Sequence, residues 1–165
     1  MGLLMPKTYV DNIFEITPEW MREHSLKALL LDLDDTLSPH GVKVPDDKIK
    51  NWVDTMKTQG MPMIVLSNND EERVAPFCDA IGVPYICDAG KPLPKGYRRA
   101  AEMLGMPVTC IAMAGDQILT DMIGANLAGV FAVLIMDREV SRNGGTRFKR
   151  LLESPVKRWL RRRGK

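Results

Sequence analysis

The stretch Leu29-Leu30-Leu31-Asp32-Leu33-Asp34-Asp35-Thr36-Leu37 sets an apolar run against three carboxylates within four positions. Like charges so close repel, so a fold that gathers them at the end of a hydrophobic strand must supply a cation or a chemical task. Oxygen-only ligands at this spacing suit a hard divalent ion such as Mg²⁺ better than zinc. In an extended chain Asp32 and Asp34 share one side, and Asp35 points to the other. One aspartate to attack and a second, two residues on, to move the proton is also what covalent phosphoryl transfer needs.

Elements able to position these acids follow from periodicity and end signals. Thr17-Pro18-Glu19-Trp20 carries an N-cap, a first-turn proline and an early acid, which predicts one or two helical turns before Ser25. Strands are expected at 28–33, 61–67, 83–87, 109–114 and 130–136, and helices at 47–58, 70–82, 95–104 and 119–127. Strands alternating with helices imply parallel crossovers, so the fold class is a single, doubly wound α/β domain. In such folds ligands sit beyond the carboxyl ends of the strands. Those ends carry Asp32 to Thr36, then Ser67-Asn68-Asn69-Asp70, then Gly115-Asp116 with Asp121, while Lys91 and Lys95 lie among prolines and glycines after the third strand.

This ordered set resembles the four motifs of the haloacid dehalogenase (HAD) superfamily: Asp32-x-Asp34-x-Thr36-Leu37, Ser67 after an apolar strand, Lys91-Pro92, and Gly115-Asp116 with Asp121. Finer features are similar to the subfamily IIIA phosphatases of the YqeG family, relatives of mitochondrial phosphatidylglycerophosphate phosphatases. They are Ile13-Phe14-Glu15-Ile16-Thr17-Pro18, Leu66-Ser67-Asn68-Asn69, Gly115-Asp116-Gln117-Ile118-Leu119-Thr120-Asp121 and Thr146-Arg147-Phe148. Two departures stand out. Relatives usually have asparagine at Asp35 and a second lysine at Gly90, and the glycine is expected to loosen the Lys91 loop.

The resemblance implies a HAD-like Rossmannoid fold without a cap and a Mg²⁺-dependent phosphomonoester hydrolase. Asp32 would become an aspartyl phosphate, and Asp34 would protonate the leaving oxygen and then activate water. Mg²⁺ would be held by the Asp32 carboxylate, the Asp34 carbonyl, Asp116 and Asp121. Ser67, the Asn68 backbone and Lys91 would hold the phosphoryl oxygens. Taken singly, Asp70 and Asp46 are helix caps, Ser67 a turn residue, Asp121 a solvated helical position and Lys95 a solvated charge. Lys91 is preferred over Lys95, and His24 and His40 lack partners at metal spacing.

With 165 residues, 45% apolar and 27% charged, the composition is that of a soluble globular protein. No apolar run approaches the roughly 20 residues of a bilayer span, and the amino terminus reads against export. A cytoplasmic protein is expected, or one peripheral to the inner face of a membrane. Cys78, Cys87 and Cys110 are too scattered for a disulfide framework or zinc site and read as reduced, buried residues.

Residues 1–145 are read as the HAD-like domain with its leader, and 146–165 as a basic amphipathic segment. Nine of the 23 Lys and Arg lie in 147–165, where Glu153 is the only acid. Phe148, Leu151, Leu152, Val156, Trp159 and Leu160 recur there at helical spacing. The segment suits either packing on the domain or a sister subunit, or docking on anionic lipid. Gaps of 38–60 and 70–90 between motifs leave no room for a cap, so the site is expected to be open. That favours a phosphate displayed on something large, such as a lipid, or closure by a second subunit in a homo-oligomer. A soluble, protein or nucleic-acid phosphate is the alternative substrate, with nucleic acid disfavoured for want of a recognisable module. A receiver-type phosphoacceptor domain would need an aspartate where Ser67 stands. A non-catalytic scaffold on the same fold is the remaining alternative class.

Overall fold

The computed structural model describes residues 2–136. Its frame is one six-stranded, wholly parallel sheet in the order β1-β6-β5-β2-β3-β4. The strands are β1 (Thr8–Val10), β2 (Ala28–Leu31), β3 (Met63–Leu66), β4 (Tyr85–Ile86), β5 (Ile111–Gly115) and β6 (Phe131–Ile135). The helices are α1 (Pro18–Glu23), α2 (Asp47–Thr58), α3 (Glu71–Ile81), α4 (Pro94–Leu104) and α5 (Ile123–Ala128). From β2 the chain winds outward to β3 and β4, then returns to β5 and β6 on the other side. The topological switch therefore lies between β2 and β5, where such folds place their ligands.

The two faces of the sheet divide the core by the two-residue alternation of strands. Leu29 and Leu31 pack with Val53, Met56 and Phe77 of α2 and α3, whereas Leu30 packs on the other face with Tyr97, Ala100 and Ala125 of α4 and α5. All four residues of β2 are fully buried, which is why the strand reads as a continuous apolar run. Burying so many leucines at the sheet centre gives the acids that follow a rigid platform.

End signals act where the sequence places them. Thr17, Asp46 and Asp70 accept N–H bonds from Trp20, Ile49 and Arg73 at 3.2, 2.8 and 3.0 Å. Asp70 and Asp46 are thus helix caps. One helix and one loop fill the space between β2 and β3, and one helix alone separates β3 from β4. No cap domain covers the strand ends among the described residues.

The structure departs from expectation in three places. A sixth strand, β1, forms from the leader and pairs with β6, Thr8 opposite Val133 and Val10 opposite Ile135. Residues 119–127 do not make one α-helix: Ile118–Met122 form a π-helical turn before α5. Of the cysteines, all free, only Cys78 is buried, and burial pushes its thiol up to about 12, with help from Asp79. The basic segment at 146–165 and the Thr146-Arg147-Phe148 motif lie outside the described residues.

Candidate active site

Four loops meet at the switch point. Asp32 leaves β2 with its N–H donating to the Ala114 carbonyl at 2.9 Å, which ties it to the neighbouring β5. Asp116 follows β5 directly, and Asp121 comes from the π-turn beyond it. One carboxylate oxygen from each of Asp32, Asp116 and Asp121 lies within 4.8 Å of the others. Three acids so close, two of them buried, need compensating charge.

Lys91 supplies part of it. Its Nζ donates to Asp32 Oδ1 at 2.6 Å and to Asp121 Oδ1 at 2.8 Å, with the side chain only 3% exposed. Burial alone would lower the Lys91 pKa, but the Asp121 and Asp32 carboxylates override it and hold the ammonium charged well above its ordinary range. Asp32 is raised as well, which for a carboxyl favours the neutral form. Burial raises it against the pull of Lys91, and the charge of Asp121 adds to the rise, bringing it to about 7.

The lysine is held from its backbone. Asn68 Oδ1 accepts the Lys91 N–H at 2.8 Å and Asn68 Nδ2 donates to the Lys91 carbonyl at 2.9 Å. Gly90 adopts φ +68°, a conformation that glycine takes without strain. Instead of a loosened loop, the glycine serves a turn whose next residue is clamped on both backbone groups. Lys95 is exposed on α4, so Lys91 is the lysine brought to the acids.

Asp121 is completely buried, contrary to the solvated position that its sequence context alone suggests. Its Oδ2 accepts the Gln117 N–H at 3.1 Å, and the Tyr97 hydroxyl donates to the carbonyls of Thr120 and Asp121 at 3.2 and 3.3 Å. These bonds support the widened turn, a feature frequent at functional sites. Gly115 makes room: a Cβ there would lie 2.3 Å from Asp121 Oδ2 and 2.5 Å from its Cγ. Gly115→Ala is therefore expected to displace Asp121 and to cost about 1–3 kcal/mol of stability by overpacking, read from denaturant unfolding.

Asp34 stands apart from that cluster. The regular strand stops at Leu31, Asp34 makes an isolated bridge with Ser38, and Asp35 turns to φ +61°. The alternation expected along a strand therefore does not govern these acids. Asp35 Oδ1 accepts the His40 N–H at 3.3 Å. Asp34 Oδ1 is bound by Arg73 Nη2 at 2.5 Å, and its Oδ2 by Asn69 Nδ2 at 2.5 Å, with His40 Nδ1 at 3.5 Å. Buried Ser67 accepts both the backbone N–H and the side-chain amide of Asn69, at 3.1 and 3.2 Å.

Sequence reasoning gave no role to Arg73, Asn69, His40 or the Asn68 side chain. Asn68 and Asn69 stand in the Ser67 motif just after a strand end, Arg73 stands in the first turn of a helix and His40 in a loop, and none of these positions points to Asp34 or to the Lys91 backbone. His24, by contrast, stacks on Trp20 with ring centroids 4.1 Å apart.

A family model for haloacid dehalogenase-like hydrolases matches residues 40–129. The chain belongs to that family and is an enzyme of its phosphatase kind. It is 34% identical over 160 residues to "Probable phosphatase YqeG" of Bacillus subtilis (strain 168), covering 97% of this chain and 93% of that one. It is 26% identical over 144 residues to the mitochondrial phosphatidylglycerophosphatase GEP4 of Saccharomyces cerevisiae, covering 78% and 77%. The fold is shared with an uncharacterised protein from Listeria monocytogenes serotype 4b, with TM-score 0.55 at 18% identity over 83% of this chain and 99% of that one. It is also shared with the cobalt-bound deoxy-D-mannose-octulosonate 8-phosphate phosphatase of Haemophilus influenzae, with TM-score 0.53 at 14% identity over 81% and 88%.

Proposed function

We propose that the chain is a Mg²⁺-dependent phosphomonoester hydrolase that works through an aspartyl phosphate on Asp32. The observation that carries this reading is the convergence of Asp32, Asp116 and Asp121 around the Lys91 ammonium at the switch point. The donor set suits the ion. Asp32 Oδ2 is buried without a hydrogen-bond partner among the described residues, and the oxygens offered are carboxylates, as a hard divalent cation prefers. Asp32, Asp116 and Asp121 would hold Mg²⁺ together with the Asp34 carbonyl. When bound, the ion offsets the negative charge that builds on the phosphoryl group.

The remaining steps belong to the chain's own residues. A carboxylate oxygen of Asp32 attacks phosphorus, the bond from phosphorus to the ester oxygen breaks, and Asp34 gives that oxygen a proton. Asp34 then takes a proton from water, whose oxygen attacks phosphorus, and inorganic phosphate leaves as the Asp32 carboxylate is restored. Lys91 and the Ser67 hydroxyl, both buried at the rim, orient the phosphoryl oxygens together with the Asn68 backbone.

The Asp32 shift gives a pH signature. Its folded pKa of about 7 lies above its ordinary 3.8, so below pH 7 the folded apo site holds a proton there. A ligating carboxylate must lose that proton. Mg²⁺ binding is therefore expected to release protons below pH 7 and to tighten as pH rises to about 7, then level off. Titration calorimetry in buffers of different ionisation enthalpy reads both quantities, and an affinity flat from pH 5 to pH 8 would contradict the expectation.

For the substrate we favour a phosphomonoester carried on a lipid, of the phosphatidylglycerophosphate kind. The likeness to the yeast phosphatidylglycerophosphatase supports this choice, as do the uncapped strand ends and the exposed apolar Val44 and Leu93 in the loops that follow β2 and β4. The basic segment at 146–165 would add attraction to anionic lipid. The test offers soluble phosphates and phosphatidylglycerophosphate in vesicles to the wild type and to Asp32→Asn. Higher kcat/KM on the vesicle substrate supports the lipid reading, and equal or better turnover of soluble phosphates overturns it.

A further inference from the structure

We infer that Arg73 and Asn69 form a clamp that positions Asp34 for proton transfer to the leaving group. The inference rests on the acid–base reading of Asp34 given above. Both residues come from the segment after β3, and they take hold of opposite carboxylate oxygens. Arg73 Nη2 binds Oδ1 and Asn69 Nδ2 binds Oδ2, each at 2.5 Å. A short side chain held at both oxygens has little rotational freedom, which is what placing a proton donor within reach of a single ester oxygen requires.

The clamp is also tied to the phosphate-binding side of the site. Asn69 donates to Ser67 Oγ from both its backbone and its side chain, so the hydroxyl at the end of β3 and the Asp34 carboxylate share one amide. The Arg73 side chain is only 13% exposed, and its Nε and Nη1 are buried without a hydrogen-bond partner among the described residues. A guanidinium that spends one short bond on Asp34 and leaves Nε and Nη1 unmatched there is poorly arranged for stability. That arrangement suits a residue kept for its effect on Asp34. The helix cap is separate, since it uses the Arg73 backbone N–H on Asp70. Replacing the Arg73 side chain therefore leaves the start of α3 intact.

Leaving-group dependence separates positioning from mere structure. A nitrophenolate departs with little need of a proton, whereas an alkoxide from an alkyl phosphate must be protonated as it leaves. With glycerol phosphate as the alkyl probe and nitrophenyl phosphate as the aryl probe, Asp34→Asn is expected to slow leaving-group release in a single turnover, the step before water is activated, about 100-fold or more on the first and far less on the second. Arg73→Gln and Asn69→Ala should reproduce that selectivity, with leaving-group release from the alkyl phosphate slowed about tenfold, little change in that step on the aryl phosphate and KM nearly unchanged. Arg73→Lys, which keeps the charge, should recover part of the loss. Equal losses on both probes, or a change confined to KM, would overturn the clamp. If Asp34→Asn itself showed no selectivity, the acid–base reading would fail instead. Should Arg73→Gln not fold, Arg73→Lys and Asn69→Ala carry the same comparison.

Discussion

Asp32→Asn is expected to lower phosphate release by about 10³-fold or more while the fold survives. Asparagine keeps the size of the side chain, and its amide oxygen can still accept from Lys91, but it removes the nucleophilic oxygen. Burial already raises Asp32 to about 7, so a neutral side chain is well tolerated where it sits. Circular dichroism and thermal unfolding close to wild type, with turnover absent on aryl phosphate, is the expected pairing. Residual activity within tenfold of wild type would mean that another group attacks phosphorus.

Lys91→Met should have the second large effect, this time on stability as well as rate. Methionine fills a similar volume but leaves the Asp32 and Asp121 carboxylates facing each other without their shared ammonium, in positions 6% and 0% exposed. Breaking a buried ion pair on one side costs about 3–5 kcal/mol, because the partner charge stays buried and uncompensated. Denaturant unfolding without metal should show a loss of that size well above pH 7, where Asp32 is ionised, diminished as the acids protonate at lower pH. Millimolar Mg²⁺ should restore stability more in the variant than in wild type by linked binding. Phosphate release should also fall about 100-fold, since the cation opposite the transferred group is gone. An unchanged unfolding midpoint would show that Lys91 does not neutralise this pair in solution.

The parts of the site legible in the sequence were those that a parallel sheet delivers by topology alone. Asp32, Ser67 and Asp116 follow strands whose apolar runs are unmistakable, so their arrival at one rim needed no knowledge of side-chain packing, and Lys91 joins them from the loop after the short β4. Arg73 was not legible, because it lies 39 positions from Asp34 and resembles any charge in the first turns of a helix. The strand β1 escaped for a similar reason. Three residues show no alternation to read, and what makes them a strand is their pairing with β6, more than a hundred positions away. The π-turn was hidden because the pattern around Asp121 is compatible with an ordinary helix, whereas the space left by Gly115 and the Tyr97 hydroxyl exist only in three dimensions.

Phosphoenzyme trapping tests the central claim most directly. The full chain is mixed with an aryl phosphate and Mg²⁺, quenched in acid within one turnover, and its peptides are examined by mass spectrometry. A phosphoryl adduct on the peptide carrying Asp32, removed by hydroxylamine and absent from Asp32→Asn, is the predicted result. Turnover with no acyl phosphate at any time point, or an adduct on a different residue, would contradict it.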